Sequence, residues 1–114
     1  MDNIKQRVVI RKEDRGEYIL GGLCDFWGCD IDYLRSRAIN NKRLKEQKQI
    51  AIYLLYDVAD FRLKDICNVM GYAPKTVHTL TAQREDIAQL LNPKWGDSRL
   101  IKEYKAILTH LNLN

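Results

Sequence analysis

An all-helical bundle is the fold class this sequence predicts, on three observations. Apolar residues recur at steps of three and four along most of the chain, the spacing that gathers them on one side of a 3.6-residue helix. Stop residues, Gly28, Gly71, Pro74 and Pro93, fall between the periodic runs. Alternating polar and apolar residues, the mark of a strand, occur only in one short run, Arg7-Val8-Val9-Ile10-Arg11. Five to six helices are expected, the last an addition at the C-terminal end.

Residues 1–16 join that short run to a charged stretch, Lys12-Glu13-Asp14-Arg15-Gly16, and carry too little apolar surface to pack. They read as an arm with one short strand at most. From Glu17 to Trp27, the residues Ile19, Leu20, Leu23, Phe26 and Trp27 form an amphipathic stripe that Gly28 ends. Asp30 is a candidate N-cap for a short helix containing Ile31 and Leu34. The segment Arg35 to Lys48 sets six cations against one carboxylate and breaks its periodicity at Asn40-Asn41, which predicts a basic loop. A long helix from Leu44 to Val58 follows, with Ile50, Ala51, Leu54, Leu55 and Val58 inward, the expected spine of the core. After the break at Asp60-Phe61-Arg62 comes a short helix, Leu63 to Met70, that turns Leu63, Ile66 and Met70 inward and stops at Gly71. Pro74 suits the first turn of the next helix, Lys75 to Leu91, because a missing N–H costs nothing there. The break at residues 92–96 leads to a last amphipathic helix, capped by Asp97 or Ser98 and carrying Leu100, Ile101, Tyr104, Ile107, Leu108 and Leu111. The expected organisation is an arm at 1–16, one domain at 17–91, and a linker with a docking helix at 92–114.

Bulk composition fits that organisation. The chain has 114 residues, 46% hydrophobic and 30% charged, enough to bury one core. A net charge of +4 suits a polyanionic partner without requiring one. No run of about 18 apolar residues and no apolar leader segment occur, so a cytoplasmic protein without a membrane span is expected. Cys24, Cys29 and Cys67 are an odd number at no zinc-like spacing and read as reduced thiols in or near the core. Neither His78 nor His110 has a ligand partner at metal spacing. No nucleophile with a base and no paired carboxylates stand out, which argues against an enzyme and against a cofactor.

The functional signal lies in the pair of helices around Gly71. A short helix, a glycine turn and a second helix that opens on Lys75, Thr76, His78 and Thr79 form a candidate helix-turn-helix. The second helix of such a pair can enter the DNA major groove, with its first turns at base edges. Lys75, Thr76, His78 and Thr79 are the candidate base-reading residues. Arg35, Arg37, Lys42, Arg43, Lys45, Lys48 and Lys64 are the candidate contacts to the DNA backbone, since cations and helix N-termini attract phosphate. An ordinary helical hairpin with a solvated polar face would give the same pattern in this pair alone. Tyr72, in the turn, can either stack on a sugar or base or pack over Leu63 and Met70.

Longer stretches carry a family resemblance. Leu23-Cys24-Asp25-Phe26-Trp27, Ile31 to Arg37, Lys48-Gln49-Ile50-Ala51-Ile52-Tyr53-Leu54-Leu55, Leu63 to Gly71, and Thr76-Val77 match in order and spacing a region from about Tyr18 to Leu91. In these segments the chain resembles the C-terminal DNA-binding domain, domain IV, of the bacterial replication initiator DnaA. The resemblance implies a Trp-repressor-like fold, a bacterial or phage source and duplex DNA as partner. It also implies that Lys48 stands where the family has an arginine that reaches into the minor groove. A lysine lacks the planar guanidinium fork, which weakens base reading there. The family's Gly-Arg-Asp-His-Thr-Thr-Val run is replaced by Gly71-Tyr72-Ala73-Pro74-Lys75-Thr76-Val77, so a target other than the DnaA box is expected. No Gly-x-x-x-x-Gly-Lys-Ser/Thr loop is present, hence no nucleotide partner is expected. The functions to distinguish are a non-catalytic duplex-DNA binder in replication or transcription, and a protein-interaction domain on the same fold. In the second, Trp95 and the C-terminal helix engage a replication or regulatory partner. For that helix, docking on its own domain and a homodimer contact are both open.

Overall fold

A computed structural model describes residues 12–37, 40–73 and 77–113, which form six α-helices and no strand among them. In chain order these are α1 (Lys12–Trp27), α2 (Ile31–Arg35), α3 (Lys42–Tyr53), α4 (Leu63–Met70), α5 (Val77–Leu90) and α6 (Ser98–His110). A π-helical turn, Leu54–Val58, continues α3. The all-helical class is as the periodicity indicates. The run at Arg7 to Arg11, Pro74 and the candidate residues Lys75 and Thr76 lie outside the described residues.

Local chemistry accounts for several helix ends. Asp30 caps α2 through Oδ1, which accepts from the Tyr33 N–H at 2.9 Å. Asp97 caps α6 in the same way, accepting from the Leu100 N–H at 3.1 Å. Gly71 takes a left-handed conformation, φ 74°, that a residue with a Cβ adopts only with strain. It lets the Tyr72 N–H donate back to the Cys67 carbonyl at 2.8 Å, satisfying one of α4's last carbonyls.

Three boundaries differ from the sequence expectation. The first described helix takes in residues 12–16, so the charged stretch assigned to the arm is helical. The long helix begins at Lys42, where the Asn41 side chain accepts from the Leu44 N–H at 3.0 Å. Lys42, Arg43, Lys45 and Lys48 therefore stand on helical turns, and the loop itself is shorter than predicted. Third, Val58 is 38% exposed whereas Ala59 is 3% exposed. The cause is the π turn, in which the Ala59 N–H reaches the Leu54 carbonyl at 2.9 Å and rotates the following residues off the α-helical face.

The core is built around α3. Ile50, Ala51, Ile52, Leu54 and Leu55 are completely buried, and Gln47, Lys48 and Gln49 are buried with them. A helix covered on nearly every side is a central element and not a surface one. Against it pack Ile19, Leu20 and Leu23 of α1, Leu34 of α2, Ile66 and Met70 of α4, and Leu80 and Ile87 of α5. The terminal helix α6 lies on the same core through Leu100, Ile107 and the adjoining Leu111. It is tied to α1 by a bond from the Tyr18 hydroxyl to the Leu111 carbonyl at 2.7 Å. A second tie runs from the Trp27 indole N–H to the Glu103 carboxylate at 2.8 Å.

Two glycines make opposite predictions. A Cβ on Gly96 would lie 2.2 Å from the Leu90 carbonyl oxygen and 2.6 Å from that of Asn92, backbone atoms that cannot swing away. A Cβ on Gly21, inside α1, would meet nothing within 4 Å. In chemical denaturation, Gly96→Ala is expected to lose about 2 kcal/mol or more. Gly21→Ala is expected to gain about 0.5–1 kcal/mol, the helix-propensity difference.

Candidate nucleic-acid interface

The helix-turn-helix candidate is assembled from α4, the turn at Gly71-Tyr72 and α5. These two helices pack on each other, and α5 also runs along α3. At the start of α5, His78 and Thr79 are exposed while Leu80 is buried, so the first described turn is polar outward and anchored inward. Further along, the exposed residues include Glu85 and Asp86. The exposed carboxylates of α5 thus stand in its second half, away from His78 and Thr79.

The cations singled out in the sequence separate into two sets. Arg37, Lys42, Lys45 and Lys64 are exposed. The other three are engaged inside the molecule. Arg35, although exposed, donates from Nε and Nη2 to the Val69 carbonyl at 3.0 and 2.8 Å. Arg43 binds Glu103 through both guanidinium nitrogens, one at 3.0 Å, and its guanidinium carbon lies 5.9 Å from the Trp27 ring centre. Lys48, 6% exposed, donates to the Leu34 carbonyl at 2.7 Å and to the Tyr72 hydroxyl at 3.2 Å. Its ammonium also sits 5.0 Å from the centre of the Tyr72 ring. Tyr72 thus packs as a half-buried partner of Lys48.

These contacts locate the exposed cations. Lys48 reaches from α3 to the turn residue Tyr72, and Lys45 is one helical turn before it on the same side. Arg35 reaches from the end of α2 to the end of α4, which brings Arg37 to the same neighbourhood. The basic segment and the helix-turn-helix turn are consequently neighbours, although some 25–35 residues separate them in the chain. Sequence reasoning missed the carboxylate that neutralises Arg43. Glu103 belongs to α6, 60 residues away, and nothing in the local pattern signals it. Glu46, 3.4 Å from Arg43 at i+3, was visible in the sequence as the one acid among the cations.

Electrostatics follow from burial and pairing. Burial alone would raise the Glu103 carboxyl, but bonds from Arg43 and Trp27 outweigh it and hold the group below its usual range. Burial lowers the Lys48 ammonium and pushes the Tyr72 phenol up to about 12. It also raises the Tyr104 phenol to about 12 and, helped by Cys29, the Cys24 thiol to about 11. Cys24 and Cys67 are buried and Cys29 half-buried. His110 lies 2.9 Å from Asp25 at the surface. No group of three His, Cys, Asp or Glu side chains is placed to hold a metal among the described residues. No described helix is long and apolar enough to cross a membrane.

These features define a class: an all-helical unit with a helix-turn-helix arrangement and a basic segment that contacts its turn through Lys48 and Arg35. The comparisons point the same way. Over 103 residues the chain is 30% identical to the "Chromosomal replication initiator protein DnaA" of Chloroflexus aurantiacus, matched in strains J-10-fl and Y-400-fl alike. The match takes in 90% of this chain and 20% of that protein, so the chain spans a fifth of the length of the curated relatives it matches. No family model matches the chain. No solved structure matches it either.

The raised groups predict an alkaline limit. Tyr72 and Tyr104 keep their protons in the folded state to about pH 12, against an ordinary 10.0, and Cys24 to about 11, against 9.0. Above each ordinary value the unfolded chain loses the proton first, so the stability these groups contribute is complete below pH 9 and is lost between there and 12. Lys48, shifted the other way, opposes the trend below its ordinary 10.5. Denaturant midpoints measured at neutral pH and at about pH 11 should show a marked fall, and Tyr72→Phe with Tyr104→Phe should reduce it.

Proposed function

We propose that this chain is a non-catalytic duplex-DNA-binding domain like domain IV of DnaA, with a Trp-repressor-like arrangement of its helices. The similarity to a DnaA protein supports the class of partner. The observation that carries the reading is the juxtaposition of the basic segment with the helix-turn-helix turn through the Lys48–Tyr72 and Arg35–Val69 contacts. In this reading Arg37, Lys42, Lys45 and Lys64 face phosphates. The N-terminus of α3 adds outward N–H groups to the positive charge of Lys42. His78 and Thr79, with Lys75 and Thr76 before them, meet base edges. The Arg-Asp-His set of the family is absent, so the recognised sequence differs from the DnaA box.

A second reading draws on one observation. Trp95 is 64% exposed, and Leu90, in the last turn of α5, is 37% exposed. Such a patch at the turn before α6 suits a protein partner, in replication or regulation, or a second copy of this chain. Trp95→Ser separates the two, because a duplex-binding domain of the proposed geometry keeps its DNA affinity without the Trp95 side chain.

Titration of labelled duplexes at several salt concentrations tests the proposal. Lys42→Ala with Lys45→Ala should weaken binding to every sequence and reduce the slope of log K against log salt by about 0.9 for each phosphate no longer neutralised. His78→Ala or Thr79→Ala should leave the slope alone and change the preference between sequences, by about 1–3 kcal/mol where the truncated side chain no longer reaches a base. Absence of duplex binding at low salt would refute the reading.

A further inference from the structure

Among the described residues Lys48 is the one buried cation, 6% exposed. Its ammonium is taken out of water by the surrounding core, and a compact ammonium in that position must be satisfied by acceptors. It has them in the Leu34 carbonyl, the Tyr72 hydroxyl and the Tyr72 ring face. Leu34 lies in the last turn of α2, where carbonyls have no partner within the helix. Arg35 makes the reciprocal connection, closing the Val69 carbonyl in the last turn of α4, and its Cδ lies 3.8 Å from where a Cβ on Gly71 would stand. Two cations from the basic segment therefore each seal the end of a neighbouring helix, and both do so beside the turn that leads into α5.

We infer that Lys48, acting through Tyr72, is a positioning residue that sets the helix-turn-helix turn against α2 and α3 and is not itself a contact to DNA. For the Lys48 ammonium to reach a phosphate it would have to abandon both hydrogen bonds and its enclosed position. Held as it is, it fixes Tyr72 five residues before the first described residue of α5. The direction in which α5 presents His78 and Thr79 then depends on that anchor. This inference rests on the duplex-binding reading and adds a division of labour to it: exposed Lys42 and Lys45 supply charge, and buried Lys48 supplies geometry.

The test uses the full chain and two duplexes, one selected by the wild-type protein from a random-sequence pool and a scrambled control. Affinity for both is measured across a salt series for the wild type, Lys48→Met and Tyr72→Phe, with helicity checked by circular dichroism. Lys48→Met is expected to reduce discrimination between the duplexes by roughly tenfold, comparable with one mismatched base pair, at an unchanged salt slope. Tyr72→Phe, which removes one hydroxyl and keeps the ring, should move discrimination the same way by less and serves alone if Lys48→Met does not fold. A slope lowered by about 0.9 in Lys48→Met would make Lys48 a phosphate contact and overturn the inference while leaving duplex binding intact. Unchanged discrimination in the folded variants would reduce Lys48 to a structural role and overturn it equally. A wild-type protein that binds neither duplex would overturn the functional reading itself.

Discussion

The burial of α3 is the constraint on which the other elements depend. Ile50, Ala51, Ile52, Leu54 and Leu55 are fully enclosed, and covering them takes side chains from α1, α2, α4, α5 and α6. A helix enclosed in this way cannot keep a purely polar face, so Gln47, Lys48 and Gln49 are drawn inside with it. Two of them bond to neighbouring elements: Gln47 accepts from the Tyr33 hydroxyl at 2.8 Å, and Lys48 takes the Leu34 carbonyl and Tyr72. Polar residues forced inward by the spine become the connections that hold α2 and the turn after α4 in place. Packing and the placement of the candidate interface thus have a common origin.

A second consequence concerns charge. Among the positive residues near the start of α3, Arg43 is met by Glu103 of α6, and the neighbouring Glu46 carboxylate is shared with Arg99 at 3.0 Å. Exposed pairs of this kind contribute little to stability on their own. Here the Arg43–Glu103 pair is partly buried and shared with Trp27, so its main effect is to fix α6 against α1 and α3 and to remove one cation from the surface field. Among the described residues of the basic segment, Arg37, Lys42 and Lys45 are exposed, while Arg43 and Lys48 are turned to internal partners.

Helix positions were readable in the sequence wherever a single local interaction decides them. Asp30 and Asp97 cap the helices assigned to them, and Gly71 ends α4 because its left-handed conformation is dictated at that residue. Apolar spacing identified the spine and the terminal helix for the same reason. Failures occur where distant residues decide. Lys12 to Gly16, within the stretch 1–16 that looked too polar to pack, are helical because the chain continues upstream from the buried Ile19 and Leu20. Val58 matched the spine's apolar face until the π turn shifted the register to Ala59. The candidate site was legible as a set of residue types but not as a geometry. A long cationic side chain reaches several ångströms in any direction, and only the fold reveals that Lys48 turns inward, Arg43 turns to Glu103 and Lys45 stays in solvent.

The central claim, that the basic segment and the start of α5 form one surface for duplex DNA, is tested most directly by mapping backbone amide resonances during titration with a duplex selected from a random pool. Shifts should cluster at residues 36–45, at Gly71-Tyr72 and at His78-Thr79, with α6 and Trp95 unaffected. Shifts confined to Trp95 and α6, or none at all under low-salt conditions, would contradict it.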